Sequence, residues 1–213
     1  MTGRFLVLEG IDGCGKTTQL RLLAEWLPDS GLMPPGATLH CTREPGGTPL
    51  GQALRELLLN PPAESAPDPT AELLLYAADR AQHVERMIRP ALERGDWVLS
   101  DRFSGSTIAY QGDGRGLNLQ TILDLERIAT AGITPDVTLW LDLPLQESLR
   151  RRGALAEDRI EAEGESFLMR VADGFKRLAA ERGWIPVEAD QGAEQVQQLI
   201  RRLLEDRFAQ ALP

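Results

Sequence analysis

The chain has 213 residues, of which 42% are hydrophobic and 26% charged, an ordinary composition for a globular protein of one domain, residues 1–213, with a small appended lid. No stretch approaches the roughly 20 apolar residues needed to cross a bilayer, which excludes a membrane-spanning helix. A net charge of −9 argues against a broad nucleic-acid surface, because such affinity rests on neutralising phosphates with cations, but leaves room for a local cationic pocket.

Two cysteines, Cys14 and Cys41, are too few for a disulfide scaffold and point to a reducing cytoplasm. The short apolar run Phe5–Leu8 leads into Glu9 and Gly10 without the architecture of a signal peptide. Of the 23 basic residues only Lys16 and Lys176 are lysines, so a lysine at a motif position carries weight.

In chain order, residues 5–8 read as a buried strand, and residues 16–27 as a helix with Leu20, Leu23, Ala24 and Leu27 on one face. Three prolines make residues 28–37 a loop before a second strand at 38–42. A helix is expected at 50–59, a Pro-rich connection at 60–69, and a long helix at 70–94 whose last turn starts or kinks at Pro90. Strands at 97–100, 137–143 and 185–189 alternate with helices at 119–131, 147–152, 166–182 and 193–209. Alternation of this kind predicts an α/β fold with a parallel five-stranded sheet flanked by helices in three layers.

Gly10-Ile11-Asp12-Gly13-Cys14-Gly15-Lys16-Thr17 matches the phosphate-loop pattern in its required place, between a strand and a helix. Glycines let backbone N–H groups converge on phosphate oxygens, with the helix dipole assisting. Residues Gly10 to Thr18 are therefore assigned to the phosphates of a nucleoside triphosphate, and the motif alone does not choose between GTPase, motor, kinase and ATPase. Lys16 reaches the β- and γ-phosphates, and the Thr17 hydroxyl is a ligand for Mg²⁺. Neither lysine follows an asparagine, so a guanine-reading Asn-Lys-x-Asp motif is absent.

A second polar cluster, Asp101-Arg102-Phe103 through Ser106 to Tyr110-Gln111, follows the third strand. Asp101 sits where an acid can help hold Mg²⁺, and Arg102 where a guanidinium can bridge transferring phosphates. Plainer readings exist: Asp101–Arg102 as a surface ion pair, Asp12 as a helix cap, Gln111 as a loop amide, and Tyr76–Arg80 as a surface pair on a helix. His40 and His83 have no neighbours at metal-ligand spacing and read as structural or surface residues.

These motifs resemble bacterial thymidylate kinase: Leu8–Thr18, Arg43-Glu-Pro-Gly-Gly-Thr48, Tyr76-Ala-Ala-Asp-Arg80, Asp101–Gln111 and Asp158-Arg-Ile-Glu161. The resemblance implies a P-loop nucleoside-monophosphate-kinase-like fold, transfer from ATP with Mg²⁺ to dTMP, a supply of dTDP for dTTP synthesis, and a homodimer. It assigns Asp12 to the acceptor's 3′-hydroxyl, Tyr76 to stacking on thymine, and Arg80 and Gln111 to the base edge. Tyr110 crowds the 2′ position of the sugar, while Arg43, Pro45, Arg102 and Ser106 line the monophosphate side.

A lid at about 150–164 is implied to close over the phosphates, with Arg150, Arg152 and Arg159 joining Lys16 and Arg102 as catalytic cations. The phosphate loop has Gly13 and Cys14 where some relatives carry a basic residue, as expected of the kind that draws arginines from the lid. No basic residue lies between Arg152 and Arg159, a departure that leaves open which lid arginine meets the γ-phosphate. Two alternatives stand beside this reading: a related nucleoside or nucleotide kinase with another acceptor, and a non-catalytic ATP-binding regulator.

Overall fold

The computed structural model describes residues 3–62, 65–153, 159–160 and 163–209. Among them, β1 (Arg4–Glu9) is the middle of a five-stranded parallel sheet of order β2-β3-β1-β4-β5. The other strands are β2 (Leu39–Arg43), β3 (Trp97–Asp101), β4 (Val137–Asp142) and β5 (Ile185–Glu188). Both faces of β1 are buried. Phe5 and Val7 join Val98, Val84, Ile88 and Phe103 on one side, whereas Leu6 and Leu8 join Leu23, Leu99 and Leu139 on the other. A parallel sheet requires this, since its crossover helices cover both faces. The register places Leu8 and Arg43 on either side of Asp101, so their strands end together at one edge.

The helices are α1 (Lys16–Trp26), α2 (Pro49–Leu59), α3 (Pro69–His83), α4 (Arg89–Glu93), α5 (Ser104–Thr107), α6 (Leu119–Thr130), α7 (Leu145–Arg152), α8 (Glu165–Arg182) and α9 (Ala193–Ala209). Thr48 caps α2, its hydroxyl accepting from Gly51 N at 3.0 Å. The long helix expected at 70–94 is α3 and α4 joined by one π-helical turn, Val84–Ile88, and Pro90 lies in the first turn of α4. Just before the proline the hydrogen bonds shift register, Arg89 N–H reaching back five residues to Val84 O, so the missing donor falls where the α-helical ladder is already interrupted. The stretch 28–37, expected as a loop, opens inside a 3₁₀ turn, Leu27–Asp29.

The segment after β3 departs most from expectation. Periodicity gives no helix there, yet α5 runs into a π-helical stretch, Ile108–Gly114, which α8 covers. Ser-Gly-Ser-Thr is a poor helix former, so tertiary contacts impose the conformation. Gly105 is part of the reason: a Cβ there would come within 2.4 Å of the Trp184 ring and 2.9 Å of a Glu9 carboxylate oxygen. The lid expected at 150–164 is described at 150–153, 159–160 and 163–164, while residues 154–158, 161 and 162 lie outside the described residues.

Candidate active site

The phosphate loop turns from β1 into α1 at the carboxyl edge of the sheet, where open α/β sheets bind ligands. Gly13 has φ +76°, and a Cβ on it would lie 3.0 Å from the Ser148 carbonyl and 3.1 Å from Arg152 Cγ. Only glycine lets α7 approach this closely. Ser148 fastens the contact, its hydroxyl donating to the Asp12 carbonyl at 2.6 Å. Lys16, 6% exposed, donates from Nζ to the carbonyls of Gly10 (3.0 Å) and Ile11 (2.9 Å). Gly15, not Asp12, is the N-cap residue of α1, which leaves the Asp12 carboxylate for other work.

The Asp12 carboxylate accepts from the Tyr110 hydroxyl at 2.6 Å and pairs with Arg102. Burial alone raises its pKa, but Arg102 and Lys16 outweigh burial and hold the carboxyl well below the usual carboxylate range. Arg102 adopts φ +72°, a left-handed conformation unusual for a side-chain-bearing residue. Its backbone is clamped: the N–H donates to Leu8 O at 2.9 Å, and the carbonyl accepts from the Ser100 hydroxyl at 2.7 Å. The guanidinium also reaches Gly10 O (3.0 Å) and Ser106 Oγ (2.9 Å). Strain held by so many contacts belongs to positions where side-chain direction matters.

Beneath this arrangement lies Glu9, 1% exposed, which accepts from Phe103 N (3.0 Å), Ser106 N (3.2 Å) and Ser106 Oγ (2.6 Å). Burial pushes the Glu9 pKa up despite these donors and nearby Arg102. On the metal side, the Thr17 hydroxyl donates to Asp101 Oδ2 at 2.8 Å, bringing two hard oxygens together beside the loop. A hydroxyl with one carboxylate fits Mg²⁺, which usually completes its shell with phosphate oxygens and water. Among the described residues there is no cluster of three or more acidic, histidine or cysteine side chains able to hold a metal alone.

Two cavities meet here. One is lined by Gly13, Gly15, Lys16, Thr17, Thr18, Arg43 and Asp101; the other by Pro45, Tyr76, Arg80, Ser106, Tyr110, Gln111 and Ile160. Asp12, Glu44, Arg55 and Arg102 line both. In the second cavity Arg80 is 3% exposed, with Nε on Glu44 Oε2 (2.8 Å) and Nη2 on Phe103 O (3.1 Å) and Thr107 Oγ1 (2.9 Å). A surface pairing of Arg80 with Tyr76 is thereby replaced by a buried network. Gln111 Nε2 donates to Glu72 Oε1 at 2.8 Å, and the Tyr110 ring lies between Phe167 and Phe175, with centroids at 6.3 and 6.0 Å.

The expected lid arginines separate. Arg152 lies against Gly13, whereas Arg150 is 74% exposed and bonded to Glu147 at 2.6 and 2.7 Å. Arg159 binds Leu58 O at 3.0 Å and Glu72, beside the second cavity, and none of Arg150, Arg152 and Arg159 lines the phosphate cavity. The histidines are structural: His40 faces Asp96 at 3.0 Å, and the fully buried His83 lies between Thr42 (2.8 Å) and Glu44 (2.9 Å).

Sequence reasoning missed Glu9, Glu44, Arg55 and Glu72. Glu9 and Glu44 sit inside quoted motifs at strand ends, a signal that could have found them. Arg55 in a leucine-rich helix reads as an ordinary surface charge, although its Nη1 donates to Pro45 O at 3.1 Å at the junction of the cavities.

A phosphate loop on a parallel sheet, with a second cleft sharing Asp12 and Arg102 with it, defines a P-loop phosphotransferase of the nucleoside-monophosphate-kinase type. The model of one family, thymidylate kinase, matches residues 8–200. The thymidylate kinase of Synechococcus sp. (strain WH7803) is 74% identical over 209 residues, 98% of each chain. That of Prochlorococcus marinus (strain MIT 9313) is 67% identical over 208 residues, 98% of this chain and 96% of that one. A crystal structure of thymidylate kinase from Ehrlichia chaffeensis superimposes with a TM-score of 0.77 at 31% identity, covering 96% of this chain and all of that one. The chain belongs to the thymidylate kinase family.

Proposed function

We propose that the chain transfers the γ-phosphoryl group of ATP to dTMP, yielding dTDP and ADP and so feeding dTTP synthesis. The observation that carries this reading is the junction of the two cavities at Asp12 and Arg102, which sets an acceptor's phosphate against the end of a triphosphate.

An oxygen of the dTMP phosphate attacks the γ-phosphorus in line, and the bond to the β–γ bridging oxygen breaks as ADP leaves. The acceptor needs no general base, because a phosphate monoester is largely dianionic at pH 7. Catalysis is then positioning and charge neutralisation. Lys16 and Arg102 carry transition-state charge, with Arg152 of the lid, about 150–164, closing over the loop. Thr17 and Asp101 would hold Mg²⁺, which supplies charge neutralisation at the β- and γ-oxygens.

On the acceptor side Tyr76 stacks on the base, and Arg80 and Gln111 read its edge. Asp12 takes the 3′-hydroxyl, and Tyr110 excludes a 2′-hydroxyl. Arg43, Arg55 and Pro45 line the monophosphate. The homodimer is supported by Leu57, Leu74 and Ile128, exposed on α2, α3 and α6, which pack side by side. No described helix is long and apolar enough to cross a membrane, and both cysteines are free, in keeping with a single domain working in the cytoplasm. Phosphorus NMR of the full chain with ATP, Mg²⁺ and dTMP tests the reaction: dTDP resonances should grow as ATP falls, and release of inorganic phosphate alone would refute it.

A further inference from the structure

Glu72 is fully buried on α3, and its carboxylate is a hub. Oε1 accepts from Gln111 Nε2 at 2.8 Å and Arg115 Nε at 2.7 Å; Oε2 accepts from Arg115 Nη2 at 2.9 Å and from Arg159 of the lid. Arg115 also pairs with Glu163 at 2.8 Å and lies over the Phe167 ring. Burial raises the Glu72 pKa, but the hydrogen bonds of Arg115, Gln111 and Arg159 outweigh it, so the group stays ionised and acceptor-only.

An ionised carboxylate accepts the amide N–H₂ of Gln111 and repels its oxygen. Gln111 therefore cannot turn its amide over, and Oε1 remains for the cavity that it lines. Arg80 is similarly constrained: Nε and Nη2 are bonded to Glu44, Phe103 and Thr107, and among the described residues Nη1 has no partner. A fixed donor and a fixed acceptor lining one cavity complement a ring carbonyl beside a ring N–H. It mismatches an exocyclic amine beside a bare ring nitrogen.

We infer that Glu72 is a positioning residue for base specificity: by taking Gln111 Nε2 it fixes the amide so that the site selects thymine over cytosine. This rests on the reading of the second cavity as a pyrimidine-monophosphate site.

The test is kcat/KM for dTMP and for dCMP, with ATP and Mg²⁺, in the full chain and in Glu72→Gln, Gln111→Ala and the double variant. A neutral amide at position 72 can donate to a flipped Gln111, so Glu72→Gln should lower the dTMP:dCMP ratio roughly tenfold or more. In the Gln111→Ala background the same substitution should leave the ratio unchanged, which a merely structural role would not produce. If Glu72→Gln does not fold, Glu72→Asp keeps the charge for both arginines but withdraws a methylene from Gln111, and carries the same expectation. An unchanged ratio in the single variant, or an equal fall in both backgrounds, overturns the inference. A wild-type chain that fails to prefer dTMP over dCMP overturns the pyrimidine reading itself, and is seen before any variant is made.

Discussion

The Tyr110 hydroxyl donates to Asp12 Oδ2 at 2.6 Å, tying the π-helical stretch after β3 to the phosphate loop 98 positions earlier. The bond holds the Tyr110 ring, a wall of the second cavity, against Asp12, which lines both cavities. Tyr110→Phe keeps the ring and removes only the donor, so KM for dTMP should rise by a factor of about three to ten. Tyr110→Ala opens the wall, and use of the ribose analogue 5-methyluridine monophosphate relative to dTMP should rise about tenfold. Competition assays with the two acceptors read this; an unchanged preference in Tyr110→Ala would remove Tyr110 from sugar selection.

The separation of the lid arginines predicts unequal losses. Arg152 packs its Cγ against Gly13 of the phosphate loop, and on its proposed role at the γ-phosphate Arg152→Ala should lower kcat about a hundredfold, in line with removal of one charge-stabilising donor. Arg150 is exposed and held by Glu147, and Arg150→Ala should stay within about threefold of wild type. Steady-state kinetics at saturating ATP and dTMP separate the two; equal losses would contradict the assignment.

Below the loop that follows β2, Asp79 Oδ1 accepts from Gly46 N at 3.1 Å and faces Glu44, His83 and Arg80. Burial, reinforced by the Glu44 carboxylate, pushes the Asp79 pKa up from 3.8 to about 6. A carboxyl raised in the folded state contributes stability that is fully present below pH 3.8 and is lost as pH rises through about 6. Between about pH 4 and pH 7 the wild type should therefore lose up to about 3 kcal/mol relative to Asp79→Asn. Denaturant unfolding of both proteins across that range measures it; parallel curves would contradict the account.

Ile128 is 70% and Leu74 51% exposed, on α6 and α3, which pack against each other. Sedimentation should show a dimer for the wild type and a monomer for Leu74→Glu/Ile128→Glu. A monomeric wild type would place the dimer expectation in error.

What the sequence made legible was local. Gly10 to Thr18 is contiguous and framed by a strand and a helix. Asp101 ends a strand and Arg102 follows it directly, next to the end of β1. The residues missed act across distance: Glu44 meets Arg80 from 36 positions away, and Glu72 meets Gln111 from 39. No periodicity encodes such pairs. The helical course of 104–114 was equally hidden, because Glu9 and Trp184 impose it on a sequence with little preference of its own.

The most direct test of the account is ADP formation by the purified chain with ATP and Mg²⁺, offering dTMP, dUMP, dCMP, AMP and thymidine in separate reactions. A cleft lined by Tyr76, Arg80, Arg102, Tyr110 and Gln111, with the roles proposed for them, predicts turnover strongly favouring dTMP. Preference for thymidine or another monophosphate would contradict the acceptor assignments, and ATP binding without turnover on any acceptor would contradict the reaction itself.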